Sequence, residues 1–255
     1  MAANAAQERI NTPTDGELEV RRQLAACYRI FARRNMDDMI YTHLSAKLPG
    51  TADRYLFIPF GTLFEEVTAS NLMVVDIEGK DVGESGRAVN PAGWVVHRVV
   101  YESAPEAQAV MHLHTIYGTA VSAQKQGLLP INQFAVTYSG KIGYHDYDGP
   151  GLRPDEQKKF IANLGSNRMM FLRNHGTLTY GRSIAEAYTL MHNLERTCEI
   201  QVMAQSGGAE LAMPSPEVIA STVAIGQGVG DRHFGDVGFE AMLRKIDRDD
   251  PSYRL

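Results

Sequence analysis

Two histidines separated by one residue stand out in the segment Met111-His112-Leu113-His114-Thr115. On a β-strand, residues two apart point to the same face with Cα atoms roughly 6.6 Å apart, so the two imidazoles can converge on one ion. On a helix the same spacing places them about 200° apart, on opposite sides. His175 follows later in the chain beside Gly176, which allows a close approach of the backbone. Three neutral imidazoles would leave a coordination position open for water or substrate, which a catalytic metal site requires.

The spacing alone leaves a second interpretation open, in which the pair is two ordinary hydrogen-bonded histidines on a sheet face. Two other histidines are candidates for proton transfer. His43 lies on the strand face opposite Leu44, and His145 has polar neighbours that can fix its tautomer. A structural role is the alternative for both. His97 and His192 fall within predicted helices and are interpreted as packing residues.

Capping patterns and hydrophobic periodicity predict the elements that position these residues. Strands are predicted over 40–48, 55–59, 72–77, 110–114, 131–147 (as one or two strands), 169–173 and 177–180. Helices are predicted over 14–35, 90–103, 116–125, 154–164 and 236–247, with two more beginning at Ser183 and Ser215. Residues 1–13 are interpreted as a disordered tail and residues 14–255 as one α/β domain whose sheet is covered by helices.

Composition limits the class of protein. The chain has 255 residues, 44% of them hydrophobic, which is enough for a sizeable core. The net charge of −5 gives no electrostatic footprint for nucleic acid. Cys27 and Cys198 both lie in helical patterns among apolar neighbours and are interpreted as small core residues. No signal peptide and no membrane span are recognised, so we expect a cytoplasmic protein that does not bind membranes.

From about residue 15 to 208 the sequence resembles the class II aldolase/adducin family. The matching segments are Tyr41-Thr42-His43-Leu44-Ser45, Ile58-Pro59-Phe60-Gly61, Val67-Thr68-Ala69-Ser70, Asn90-Pro91-Ala92-Gly93-Trp94, Met111-His112-Leu113-His114 and Arg173-Asn174-His175-Gly176. The resemblance implies a single three-layer α/β/α domain with a central mixed, largely antiparallel sheet. It also implies a homotetramer and a divalent metal held by His112, His114 and His175. Zinc is the expected ion, with manganese and iron as alternatives.

The chain departs from the family pattern where the sugar-phosphate aldolases bind phosphate and move protons. Their acid/base carboxylate falls at Gly93, which has no side chain to replace it. Their small hydroxyl residues fall at Pro91 and Ala92, and their Gly-Asn pair becomes Thr42-His43. These changes predict a substrate without a phosphate group, and His43 or His145 as the proton carrier.

Three functions are compatible with this pattern. The first is a metal-dependent lyase that decarboxylates or cleaves a small carbonyl or carboxylate substrate through a metal-stabilised enolate. The second is a non-catalytic oligomeric scaffold of the adducin kind. The third is a non-haem iron oxygenase, although its usual ligand set is two histidines and one carboxylate. The segment 209–255 matches no motif and indicates none of the three.

Overall fold

The computed structural model describes residues 13–149, 153–229 and 235–255. The predicted N-terminal tail lies outside the described residues, apart from Pro13. The centre of the fold is a seven-stranded sheet in the order β3-β2-β1-β4-β7-β6-β5. The strands are β1 (His43–Lys47), β2 (Tyr55–Phe57), β3 (Met73–Val75), β4 (Ala109–Leu113), β5 (Ile142–His145), β6 (Met169–Leu172) and β7 (Gly176–Gly181). Neighbouring strands are antiparallel except for β5 and β6, which are parallel. The predicted mixed, largely antiparallel sheet is therefore confirmed.

Helices cover both faces of the sheet. They are α1 (Asp15–Arg33), α2 (Pro91–Ser103), α3 (Ile116–Ser122), α4 (Gln133–Thr137), α5 (Pro154–Leu164), α6 (Ile184–Ser206), α7 (Pro216–Val229) and α8 (Asp236–Asp249), with 3₁₀ turns at Phe64–Glu66 and Pro251–Arg254. Helices α1, α3 and α6 pack on one face, and α2 and α5 lie on the other. The result is the three-layer α/β/α domain that the resemblance implied.

Local capping explains why the long helices begin where they do. The side chains of Thr14, Asn90 and Ser183 accept hydrogen bonds from the backbone N–H of Glu17, Ala92 and Glu186. Each bond satisfies one of the N–H groups that a helix start leaves without a partner. The predicted starts of α1, α2 and α6 are thus confirmed.

The prediction of only strand over 131–147 was wrong in its first half. Residues Gln133–Thr137 form the short helix α4, and only Ile142–His145 forms a strand. The side chain of Asn132 caps α4 by accepting from the N–H of Ala135 at 3.1 Å. Gly140, with a φ of 72°, then turns the chain into β5. Because α4 packs against α6 and α7, tertiary contacts override the strand preference of its aromatic and β-branched residues.

The strand that carries His112 lies in the middle of the sheet. All five residues of β4 are buried between β1 and β7. Cys27 and Cys198 are both fully buried and unpaired, which confirms their interpretation as core residues. Among the described residues, no helix combines the length and apolar character needed to cross a membrane.

Candidate active site

The three histidines of the two matching motifs come together at one end of β4. His112 lies in β4 opposite His43 of β1, and His114 follows the last residue of the strand. His175 lies in the turn between β6 and β7, which brings it back to β4 because β7 pairs with that strand. One ring nitrogen from each histidine lies within 4.8 Å of the other two. Among the described residues, His112, His114 and His175 are the group whose ring nitrogens are spaced closely enough to share one metal ion.

Hydrogen bonds on the far side of two of these rings determine which nitrogen faces inward. His112 Nδ1 lies 3.0 Å from the carbonyl oxygen of Thr177, and His114 Nδ1 lies 3.0 Å from Asp38 Oδ2. Both partners only accept, so each Nδ1 carries the proton and donates it. Each Nε2 therefore presents a lone pair toward the centre of the group, as a metal ligand must.

These inward nitrogens fit a divalent cation. The Nε2 atoms of His112 and His114 are 3.1 Å apart, a separation that a shared proton or a shared cation can bridge. Two nitrogens bound to one tetrahedral zinc at about 2.1 Å would be about 3.4 Å apart. Burial, followed by the neighbouring imidazoles, holds the pKa of His112 well below its usual range. Burial also lowers the pKa of His175 to about 4, so both rings are neutral at pH 7.

The turn that carries His175 depends on residues with unusual backbone freedom. Asn174 adopts a φ of 58°, a conformation that asparagine tolerates better than most residues. The N–H of His175 then donates to the carbonyl of Leu172 at 3.1 Å. A Cβ at Gly176 would lie 2.5 Å from the carbonyl oxygen of Leu113. The close approach expected of this glycine is therefore confirmed.

A cavity of about 410 Å³ opens beside the histidines, between the sheet and the layer of α2 and α5. Its apolar and aromatic wall consists of Tyr41, Val96, Tyr147, Phe160 and Leu172. The three converging histidines also line it, together with His43, Gly93 and His145. The cavity is therefore large enough for a small molecule that reaches from the histidines to the aromatic wall.

His43 occupies the space that a side chain at position 93 would need. A Cβ on Gly93 would lie 2.4 Å from His43 Nε2 and 2.6 Å from its Cδ2. His43 is 4% exposed, and its Nε2 has no hydrogen-bond partner among the described residues. Burial, followed by His114 and His175, lowers the pKa of His43 to about 3. A neutral imidazole thus points into the cavity where the family pattern places a carboxylate.

A chain of hydrogen bonds holds His43 from behind. Its Nδ1 lies 2.8 Å from His97 Nε2, and His97 Nδ1 lies 2.6 Å from Ser45 Oγ. Ser45 Oγ lies 2.8 Å from the hydroxyl of Tyr101. The interpretation of His97 as a packing residue was therefore incomplete, since it also orients His43. Strand and helix spacing place His43 on one face with Ser45 and His97 on one face with Tyr101, but the sequence does not show that the two pairs meet.

His145 lies on the other side of β4, in the edge strand β5. It is buried, and its ring packs against Phe160 with centroids 5.3 Å apart. The amide N–H of Asn163 donates to His145 Nδ1 at 3.1 Å, so Nε2 carries the proton of the neutral ring. Burial lowers the pKa of His145. His145 therefore belongs to the cavity wall but is not part of the group of three converging histidines.

Two groups near the cavity that could bind phosphate, the N–H of Ala92 and the guanidinium of Arg173, already have other partners. At the start of α2, Pro91 has no N–H, and the N–H of Ala92 donates to Asn90 Oδ1 at 3.2 Å. Thr42 is buried and does not line the cavity. The guanidinium of Arg173 donates to the carbonyl of Gln124 at 2.5 Å and lies over the ring of Tyr144. This arrangement agrees with the expected loss of the phosphate site.

Comparison with known proteins identifies related sequences. Residues 22–202 match the model of the class II aldolase and adducin N-terminal domain. A Pseudomonas aeruginosa protein described as a candidate aldolase class 2 protein is 44% identical over 241 residues, covering 93% of each chain. Alpha-adducin of Rattus norvegicus is 37% identical over 248 residues, covering 91% of this chain but 33% of adducin. The chain therefore spans about a third of that relative.

Solved structures give the same relationship. The crystal structure of an aldolase II superfamily protein from Pseudomonas syringae superposes with a TM-score of 0.92 at 42% identity, covering 98% of this chain and 100% of that one. An L-fuculose 1-phosphate aldolase from Glaciozyma antarctica superposes with a TM-score of 0.82 at 25% identity, covering 97% and 98%. Sequence and fold together show that the chain belongs to the class II aldolase and adducin family.

Proposed function

We propose that the protein is a divalent-metal-dependent carbon–carbon lyase acting on a small carbonyl or carboxylate substrate without a phosphate group. The observation that carries this proposal is the convergence of three histidine rings on one end of a cavity large enough for such a substrate. The proposal includes both aldol cleavage and decarboxylation, because both reactions need a polarised carbonyl and a proton carrier.

The proposed metal ligands are His112, His114 and His175. Zinc suits three imidazoles best, and manganese or iron are the alternatives. When bound, such an ion supplies Lewis-acid polarisation of a carbonyl oxygen. The contacts of Thr177 and Asp38 with the outer nitrogens keep two of the rings in the ligating tautomer.

His43 is the proposed proton carrier, and His145 is the second candidate. His43 Nε2 faces the cavity beside Gly93, while its Nδ1 is held by His97. His145 lies on the other side of β4, where Asn163 orients it. The two rings therefore flank the metal-ligand group, and either can exchange a proton with a substrate in the cavity through a neutral ring nitrogen.

Metal analysis tests the proposed ligands. Protein purified without chelators or a metal-affinity column should contain about one divalent ion per chain. His175→Ala should lose the ion while its far-ultraviolet circular dichroism stays near that of the wild type, because the core does not depend on this turn. His192→Ala is the matched control, since His192 lies in α6 and stacks on Tyr188 away from the cavity. Full metal retention in His175→Ala would refute the ligand assignment.

An activity assay tests the proposed substrate class. Metal-loaded protein should release almost no dihydroxyacetone phosphate from fuculose- or ribulose-phosphate. Turnover on the order of one per second, a typical enzymatic rate, would show that residues 90–93 do not prevent the cleavage of sugar phosphates. Gly93→Glu should not restore cleavage, because the new side chain would collide with His43 and the phosphate contacts would still be missing.

A scaffold function without catalysis is the second candidate, and the similarity to alpha-adducin over 91% of this chain favours it. A protein that binds no metal and exchanges no substrate hydrogen with deuterium would support the scaffold. An iron oxygenase has less support, because the candidate carboxylate, Asp38, contacts His114 Nδ1 instead of completing a ligand set.

The proposed assembly is a homotetramer, inferred from the family. Light scattering at micromolar concentration should give four times the 28.2 kDa chain mass. A monomer would contradict both the assembly and any active site shared between subunits.

A further inference from the structure

A half-buried carboxylate, that of Glu195 in α6, lies beside the turn that follows His114. Glu195 Oε2 accepts a hydrogen bond from Thr115 Oγ1 at 2.5 Å and another from the N–H of Gly118 at 2.8 Å. Thr115 directly follows His114 and is 1% exposed. Burial raises the pKa of Glu195, while the hydrogen bonds from Thr115 and Gly118 lower it.

The carboxylate of Glu195 caps the N-terminus of α3 in place of the Thr115 side chain. Thr115 is the residue before the helix, where a threonine side chain usually accepts a bond from its own first turn. Here the Thr115 hydroxyl makes no such bond and donates to Glu195, while Glu195 accepts the N–H of Gly118 in that first turn. The backbone that leaves His114 is therefore held by a side chain from a different helix.

The same first turn of α3 also contacts the chain segments of the other two histidines. Thr119 Oγ1 donates to the carbonyl of His175 at 3.4 Å. A Cβ on Gly118 would lie 2.8 Å from the methyl group of Thr177, the residue whose carbonyl orients His112. This turn therefore adjoins the backbone segments that carry or orient all three histidines.

We propose that Glu195 is a positioning residue of the metal site, which holds the β4–α3 turn so that His114 meets the other two ligands. This inference rests on the proposed function, because it presupposes that the three histidines bind a metal. Removing a residue that orients metal ligands through hydrogen bonds typically weakens metal binding by about 10–100-fold. We expect a loss of this size for Glu195→Ala.

The test compares the affinity of purified variants for Co²⁺, measured by chelator competition and by the visible absorption of the bound ion. Glu195→Ala should bind Co²⁺ about 10–100-fold more weakly with a changed absorption spectrum. Glu195→Gln should stay within about threefold of the wild type, because its amide oxygen can still accept both bonds. Glu199→Ala is the matched control, since Glu199 lies one turn further along α6 and pairs with Arg196.

Thr115→Val gives a second route if Glu195→Ala does not fold. It removes the hydroxyl and keeps the shape, and it should weaken Co²⁺ binding in the same way. Wild-type affinity and spectrum in Glu195→Ala or Thr115→Val, with only a lower melting temperature, would overturn the inference. A wild-type protein that binds no Co²⁺ would instead refute the proposed metal site, so the two failures are distinguishable.

Discussion

At the scale of single residues, the site is defined by the pairing of Gly93 with His43. The glycine removes a side chain, and the imidazole fills the same space with its Nε2 toward the cavity. His97 then holds the opposite nitrogen of His43 at 2.8 Å. The absence of a side chain at position 93 and the placement of His43 therefore depend on each other, because a Cβ at position 93 would collide with the His43 ring.

This pairing predicts the result of Gly93→Ala. The new methyl group would lie 2.4 Å from His43 Nε2, so we expect the ring to move and its 2.8 Å contact with His97 to change. Long-range ¹H–¹⁵N spectra of the histidine rings should show changed signals for His43 and His97. Metal content should stay near one ion per chain. Unchanged ring signals would contradict the predicted collision.

The matched control for this variant is Gly238→Ala in α8. A Cβ at Gly238 meets nothing within 4 Å, and alanine is the better helix former by about 1 kcal/mol. We therefore expect Gly238→Ala to leave the histidine signals unchanged and the stability equal or slightly higher.

At the scale of elements, the proposed metal-ligand group depends on how closely β7 approaches β4. His112 and His114 come from β4 and the residue after it, whereas His175 comes from the turn that precedes β7. Pairing of Leu113 with Thr177 brings that turn beside the end of β4. Gly176 permits the approach, since a Cβ there would lie 2.5 Å from the carbonyl oxygen of Leu113.

Gly176→Ala should therefore separate the two strands beside the histidines. Overpacking of this kind typically costs about 1–3 kcal/mol of stability, and we expect weaker metal binding as well. Urea denaturation and metal competition measure the two effects. Gly207→Ala, at a position where a Cβ meets nothing within 4 Å, should change neither of them. Wild-type values for Gly176→Ala would show that the approach is not tight.

At the scale of the whole molecule, several histidines are enclosed between the layers and kept neutral. Burial lowers the pKa of His97 well below its usual range. His192, half-buried in α6, has its pKa lowered to about 4 by burial, with Arg34 and Arg196 adding to the effect. In an unfolded chain a histidine pKa is about 6.5, so below that pH the unfolded state binds more protons than the folded state.

The protein should therefore lose stability as the pH falls from about 6.5 toward 4. Each such imidazole contributes at most about 1.4 kcal/mol per pH unit in this window, and solvent screening reduces the contribution of the half-buried His192. Urea denaturation of metal-free protein at several pH values measures the slope. His192→Gln should give a shallower slope than the wild type, whereas an unchanged slope would contradict the contribution of His192.

The sequence by itself determined the features that depend on near neighbours in the chain. The caps at Thr14, Asn90 and Ser183 mark helix starts because each bond joins residues two or three apart. The pair His112 and His114 indicated a shared strand face because strand geometry repeats every two residues. At 131–147 this local reasoning failed, since packing against other helices decided between helix and strand for Gln133–Thr137.

Only the tertiary structure decided which distant residues complete the site. His43 and His97 are 54 positions apart, and Thr115 and Glu195 are 80 apart. No periodicity in the sequence spans such separations, because these contacts exist only once the sheet and its two helix layers have packed. The sequence could therefore indicate the histidines that come together, with His175 added by the family resemblance, whereas the residues that contact them from other elements appeared only in the structure.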